Sequence, residues 1–141
     1  MRLFVDTSAW LALNDKNDQY HNKAVAKSIE IKKHKIELIT SEYIIDESIT
    51  LIRYRVSHQA AVIFGDSLIN SNIVTTIDVT GEHRINAWEM FKKYEDKELS
   101  FTDCISFVLM KNLKLNKTFT FDEHFKQLWF EIFYKSLQNL Q

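Results

Sequence analysis

A chain of 141 residues with 18 Lys and Arg against 19 Asp and Glu carries a net charge of −1. That balance excludes a domain-wide electrostatic footprint for nucleic acid, so any such binding needs a local basic patch or metal ions beside the acidic residues. Hydrophobic residues at 45% and aromatic residues at 13% exclude a disordered chain, and two glycines with no proline exclude Gly-rich phosphate loops: neither GxGxxG nor GxxxxGKS/T occurs.

The length suits one domain, residues 1–141, able to bury about two-thirds of its unfolded surface. In chain order, Arg2 to Val5 reads as a short buried strand ending at Asp6, with Thr7 or Ser8 capping a helix through Trp10 and Leu13. Asp18 to His34 is a lysine-rich helix, Ile36 to Thr40 a second strand, and Ser41 the cap of a helix through Arg55. Ser57 to Asn70 is helical despite Gly65, and Ile73 to Val79 is β-branched and strand-like. Thr80 to Lys93 is helical, with Ile85, Trp88 and Phe91 at helical spacing. Ser100 begins an apolar helix containing Cys104 to Met110, where the lone cysteine reads as a buried small hydrophobe. Thr118 to Phe121 is a strand ending at Asp122, a short helix follows, and Trp129 to Phe133 reads as a last strand.

Strands alternating with helices predict an α/β protein: a three-layer α/β/α sandwich around a Rossmann-like parallel sheet of about five strands. Ligands of such folds bind beyond the carboxyl ends of the strands. Asp6 and Asp122 both stand there. Each has a second reading as a helix cap. Glu47 has Ile44 and Leu51 as helical neighbours and leans toward an apolar face, whereas Asp46 shares a wet side with Glu42, Thr50 and Arg53. Asp103 forms a variant capping box with Ser100, which leaves its carboxylate at a helix N-terminus. Clustered carboxylates repel one another, and a divalent cation relieves that repulsion. Oxygen donors suit Mg²⁺ or Mn²⁺, and no His/Cys set at zinc spacing is visible. Such a metal serves phosphodiester hydrolysis.

The segments VDTSAWLAL, IIDESITLIRYR, LSFTDCISFVLM and TFTFDEHF together resemble the PIN-domain family, most closely the VapC-type toxins of toxin–antitoxin pairs. The resemblance implies an acidic quartet of Asp6, Glu47, Asp103 and Asp122 at the metal, with Ser8 and Thr102 as small polar supports. It implies an endoribonuclease whose products carry a 5′-phosphate and a 3′-hydroxyl, a homodimer, and a cognate antitoxin. The alternative is a non-catalytic PIN module that binds RNA or protein. Lys23, Lys27, Lys32, Lys33 and Lys35 are candidate RNA contacts or simply a solvated face, and Arg53 and Arg55 are alternatives to them. Trp10, Trp129, Phe130 and Phe133 read as core, or in part as a groove for an antitoxin segment. With Asp6 interrupting any leader-like apolar run and no run near ~18 residues, the expected location is the cytoplasm.

Overall fold

Four apolar or β-branched runs become strands: β1 (Arg2–Val5), β2 (Glu37–Ser41), β3 (Val74–Ile77) and β4 (Thr118–Phe119). They come from a computed structural model that describes residues 1–129 and 131–132. All pairings are parallel, in the order β3-β2-β1-β4, with Phe4 opposite Ile39 on one side and Thr118 on the other. Leu3, Phe4 and Val5 are all buried, as are Leu38 and Ile39. Successive strand residues face opposite sides, so both faces of the central strands are covered, as the expected α/β layering requires.

Seven helices occur among the described residues: α1 (Thr7–Asn14), α2 (His21–Lys33), α3 (Glu42–Arg55), α4 (His58–Ile69), α5 (Gly81–Lys93), α6 (Phe101–Asn112) and α7 (Glu123–Trp129). Ser41 and Ser100 cap their helices as expected, accepting from the Ile44 and Asp103 N–H groups, and Ser57 caps α4 by accepting from that of Ala60. With so little glycine, two helices end through left-handed lysines instead: Lys35 at φ 52° after α2 and Lys114 at φ 56° after α6. Both close the turn by backbone bonds, Ile36 N–H to the Ile31 carbonyl and Leu115 N–H to that of Met110. None of the described helices is long and apolar enough to cross a membrane.

The chain forms two compact units. One comprises Met1–Asp78 with Lys117–Phe121, and the other Val79–Asn116 with the described residues from Asp122 onward. The first holds the whole sheet and α1 to α4; α1 packs on α2 and α3, and α3 on α4. The Trp10 ring lies 5.4 Å from that of Phe64, so Trp10 is core. The second unit holds α5, α6 and α7, with Phe107 of α6 at 4.8 Å from Phe125 of α7.

Among the described residues the sheet has four strands where about five were predicted. Trp129 closes α7, and Glu131 and Ile132 continue in a wide helical turn instead of a last strand. The burial pattern explains the difference: Phe125, Leu128 and Ile132 are buried at a spacing of three and four, the period of a helix face. Phe130 and Phe133 lie outside the described residues. Helix α2 starts at His21 instead of Asp18, because the Asp18 carboxylate takes the Tyr20 N–H at 2.8 Å and holds a turn there. The helical stripe of α5 does not face a core: Ile85 is 65% exposed and Trp88 51% exposed, while Ala87 is the buried residue of that helix.

Candidate active site

The strand order decides where a site can form. From β1 the chain steps to β2 and then β3, and later returns to place β4 on the other flank of β1. The order reverses between β1 and β4, so the crevice beyond their carboxyl ends is the switch point of the sheet. Asp6 leaves β1 there and Thr120 leaves β4.

Asp6 occupies the N-cap position of α1, but its side chain does not cap the helix. It is buried, at 6% exposure, and its Oδ2 instead accepts from Thr120 Oγ1 at 3.0 Å and from Ser8 Oγ at 3.2 Å. The two hydroxyls also lie 2.9 Å apart. Two hydroxyl protons satisfy at most two of those three contacts at once, so each hydroxyl can turn its proton to the carboxylate or to its neighbour. The Phe121 N–H donates to Ser8 Oγ at 3.0 Å, which fixes the hydroxyl and leaves its proton available. Neither Thr7 nor Ser8 caps α1, contrary to expectation. Ser8 is drawn across to β4, and Thr7 Oγ1 is buried with no hydrogen-bond partner among the described residues.

Thr120 was missed in the sequence. Its signal was a hydroxyl at the end of the TFTF alternation, immediately before the candidate carboxylate segment. Thr40, at the end of β2, serves the same crevice from the other side. It donates to the Val5 carbonyl at 3.2 Å and accepts from Trp10 Nε1 at 3.4 Å, tying β2, β1 and α1 together beneath Asp6.

Glu47 lies on the second turn of α3, half-buried, while Asp46 is exposed. This is the ordering the apolar-face argument predicted. The second unit carries the other two carboxylates. Asp103 is half-buried on the first turn of α6, where the capping box is reciprocal: Asp103 N–H donates to Ser100 Oγ at 3.0 Å and Ser100 N–H to Asp103 Oδ2 at 3.2 Å. Thr102 sits beside it on the same turn, half-buried. Asp122 is exposed and its Oδ1 accepts from the His124 and Phe125 N–H groups at 2.9 and 3.2 Å, opening α7. His124 is occupied elsewhere, its Nε2 lying 3.0 Å from the Glu98 carbonyl.

Of the predicted quartet, Asp6 and Glu47 therefore belong to one unit and Asp103 and Asp122 to the other. Among the described residues, no three His, Cys, Asp or Glu side chains form a ready-made metal cluster. The donor chemistry still fits a hard divalent cation: all four are carboxylates, and Asp6 is oriented by neutral hydroxyls that do not cancel its charge. Cys104, next to Asp103, is fully buried; burial first, and the Asp103 charge second, push its thiol up to about 11. It is inert packing.

The structure separates the five candidate lysines. Lys32 and Lys35 line a hollow with Ile31, Ile36, Glu37, Asn72 and Ile73, at the amino ends of β2 and β3 and so opposite Asp6. Lys33 lies in the same last turn of α2, and Lys27 pairs with Glu30 at 3.5 Å. Lys23, on the first turn of α2, is on the Asp6 side: its Nζ stands over the Tyr20 ring, which stacks on Phe121.

Comparison with known proteins agrees with this architecture. A family model described as PIN domain matches residues 3–130, running through both units. The 23S rRNA-specific endonuclease VapC20 of Mycobacterium tuberculosis is 32% identical over 128 residues, 91% of this chain and 95% of that one. A VapC ribonuclease of Archaeoglobus fulgidus is 30% identical over 131 residues, 89% of this chain and 80% of that one. The crystal structure of M. tuberculosis VapC20, described as a Sarcin-Ricin loop cleaving toxin, superposes with a TM-score of 0.80 at 30% identity, covering 89% of this chain and 94% of that chain. VapBC2 from Rickettsia felis, bound to a DNA fragment from its promoter, shares the fold alone, with a TM-score of 0.54 at 13% identity over 86% of this chain and 100% of that chain.

Proposed function

This chain belongs to the PIN-domain family and is homologous to its VapC-type members, and on that premise we propose that it is a metal-dependent endoribonuclease, the toxin of a toxin–antitoxin pair. The observation that carries the reading is the buried Asp6 carboxylate at the switch point, held by Ser8 and Thr120 and not spent on capping α1. A buried carboxylate that does not cap the helix it precedes is a costly group to keep. The names of the relatives supply the reaction class.

In this scheme Asp6, Glu47, Asp103 and Asp122 are the acidic residues that would hold Mg²⁺ or Mn²⁺, with Ser8 and Thr102 as supports. When bound, the cation supplies Lewis-acid polarisation of a phosphodiester and a water of lowered pKa. Asp6 is kept in one orientation by the two hydroxyls, so its charge needs no rearrangement when the phosphate arrives. The Ser8 and Thr120 hydroxyls, 2.9 Å apart, hold that carboxylate oxygen together. Lys23, whose Nζ stands over the Tyr20 ring that stacks on Phe121, is on the Asp6 side and suited to a substrate phosphate.

After exhaustive EDTA treatment the protein is expected to lose cleavage of a ribosomal RNA stem–loop and to recover it with Mg²⁺ or Mn²⁺, leaving 5′-phosphate and 3′-hydroxyl ends. Full activity in EDTA, or 2′,3′-cyclic phosphate ends, would sink the scheme. An rRNA loop is the first substrate to try because VapC20 is described as a 23S rRNA-specific endonuclease and a Sarcin-Ricin loop cleaving toxin. A non-catalytic module has an observation in its favour: Asp103 and Asp122 both have capping duties that a binding protein would keep. Metal-independent RNA binding without cleavage would establish it. A homodimer and a protein antitoxin complete the proposal. Light scattering of the purified chain tests the first, and inhibition by the product of an adjacent small reading frame tests the second; a monomer, or no such inhibitor, removes that part.

A further inference from the structure

The segment between α1 and α2 is built more carefully than a connection needs. Asp15 Oδ1 accepts the Asn17 N–H at 3.0 Å, Asp18 Oδ1 accepts that of Tyr20 at 2.8 Å, and His21 Nδ1 lies 2.7 Å from the Ala12 carbonyl. Both loop carboxylates are thus engaged in shaping it. Tyr20 then stands at the N-cap of α2 and makes no side-chain cap bond. Ser, Thr, Asp or Asn would stabilise that position, so helix stability does not account for the aromatic ring.

What the ring does is stack. Tyr20 and Phe121 lie parallel, with centroids 4.8 Å apart and 4° between planes, and both are half-buried. Lys23 Nζ stands 5.9 Å from the Tyr20 centroid and is exposed. Phe121 is in turn joined to the carboxylate, because its N–H donates to the Ser8 hydroxyl that contacts Asp6. A phosphate recognised at Asp6 therefore has an aromatic platform one residue away and a cation beyond it.

We propose that Tyr20, Phe121 and Lys23 form a nucleotide subsite, in which an unstacked RNA base beside the scissile phosphate takes the Tyr20 face over which Lys23 Nζ now stands, and the displaced, exposed Lys23 contacts the next phosphate. This rests on the ribonuclease reading, and it names what positions the strand. Aromatic rings accept any base through its π face, and RNA that is read in loops offers bases already splayed out. The loop is hydrogen-bonded in place, so little ordering accompanies binding.

The test uses the full chain and a single-stranded RNA oligonucleotide containing 2-aminopurine, whose fluorescence falls on stacking. In EDTA, wild type is expected to quench it. Tyr20→Leu is expected to abolish the quench and weaken binding about tenfold or more, and Tyr20→Phe to retain both. Lys23→Ala, at an exposed position, should lower the slope of log Kd against log salt by about 0.7, the contribution of one single-strand phosphate. With metal restored, Tyr20→Leu should raise KM and leave kcat, as for a contact made equally before and during reaction. Thermal melts that superimpose for wild type and Lys23→Ala keep the salt slope decisive even where Tyr20→Leu unfolds. Unchanged quench, KM and salt slope in a wild type that cleaves RNA would overturn the subsite alone. Tyr20-dependent quenching in a protein that never cleaves would overturn the enzyme and keep the subsite. Neither binding nor cleavage would overturn both.

Discussion

Asp6→Asn is expected to lower metal-dependent RNA cleavage by on the order of 10³-fold while leaving the fold intact. The magnitude is that of removing one oriented charge from a site whose chemistry is electrostatic, about 4 kcal/mol of transition-state stabilisation. The fold survives because asparagine is isosteric and its carbonyl oxygen accepts the same Thr120 and Ser8 hydroxyls now held at 3.0 and 3.2 Å. Loss of the buried charge removes its desolvation cost, so the melting temperature should hold or rise. Asp6→Ala is a different experiment. It takes away the acceptor of both hydroxyls and is expected to cost about 1–3 kcal/mol of stability. Cleavage rates beside thermal melts for both variants give the answer. An Asp6→Asn protein that still cuts RNA at the wild-type rate would remove Asp6 from the chemistry.

Much of this was legible in the residues because the signals were local. LFV before Asp6 reads as a buried strand wherever it occurs, and Ser41 and Ser100 cap helices through bonds spanning three residues. The apolar neighbours of Glu47 likewise foretold its half-buried setting against the exposed Asp46. What was not legible depended on pairings distant in sequence. Thr120 contacts Asp6 from 114 residues away, and its hydroxyl in the TFTF alternation names no partner. Ser8 resembled a helix cap because capping is the commonest local use of serine, but the Phe121 N–H and the Thr120 hydroxyl draw it across the crevice. The lysines show the same limit. Their run along α2 suggested one basic face, yet a helix of 13 residues spans ~18 Å, and it carries Lys23 to the Asp6 end and Lys32 to the other. Trp129, Glu131 and Ile132 were misread because aromatic and β-branched residues favour strands in isolation; the buried spacing of Phe125, Leu128 and Ile132 follows a helix.

Asp103 has two duties, and substitution can separate them. As the N3 residue of α6 it returns a bond to the Ser100 N–H at 3.2 Å, and as a proposed acidic residue it contributes charge. Asp103→Asn keeps an oxygen for the cap and loses the charge. Its stability is expected to fall by no more than about 0.5 kcal/mol, the modest worth of a negative group in the first turn of a helix, while cleavage drops by about 10²-fold or more. Asp103→Ala loses both and is expected to cost about a further 1 kcal/mol, the usual value of a lost cap. Helix α6 makes that cost visible, since seven of its twelve residues, Cys104 through Met110, are buried and fraying at Ser100 reaches the packed face directly. The diagnostic comparison is therefore Asn against Ala, in chemical denaturation and in cleavage. If Asp103 only caps the helix, Asp103→Asn will cut RNA as wild type does, and activity in Asp103→Ala will fall only as far as its stability. If it also serves the reaction, the two variants will be equally inactive and differ in stability alone, because the cap can be returned without the charge and the chemistry cannot.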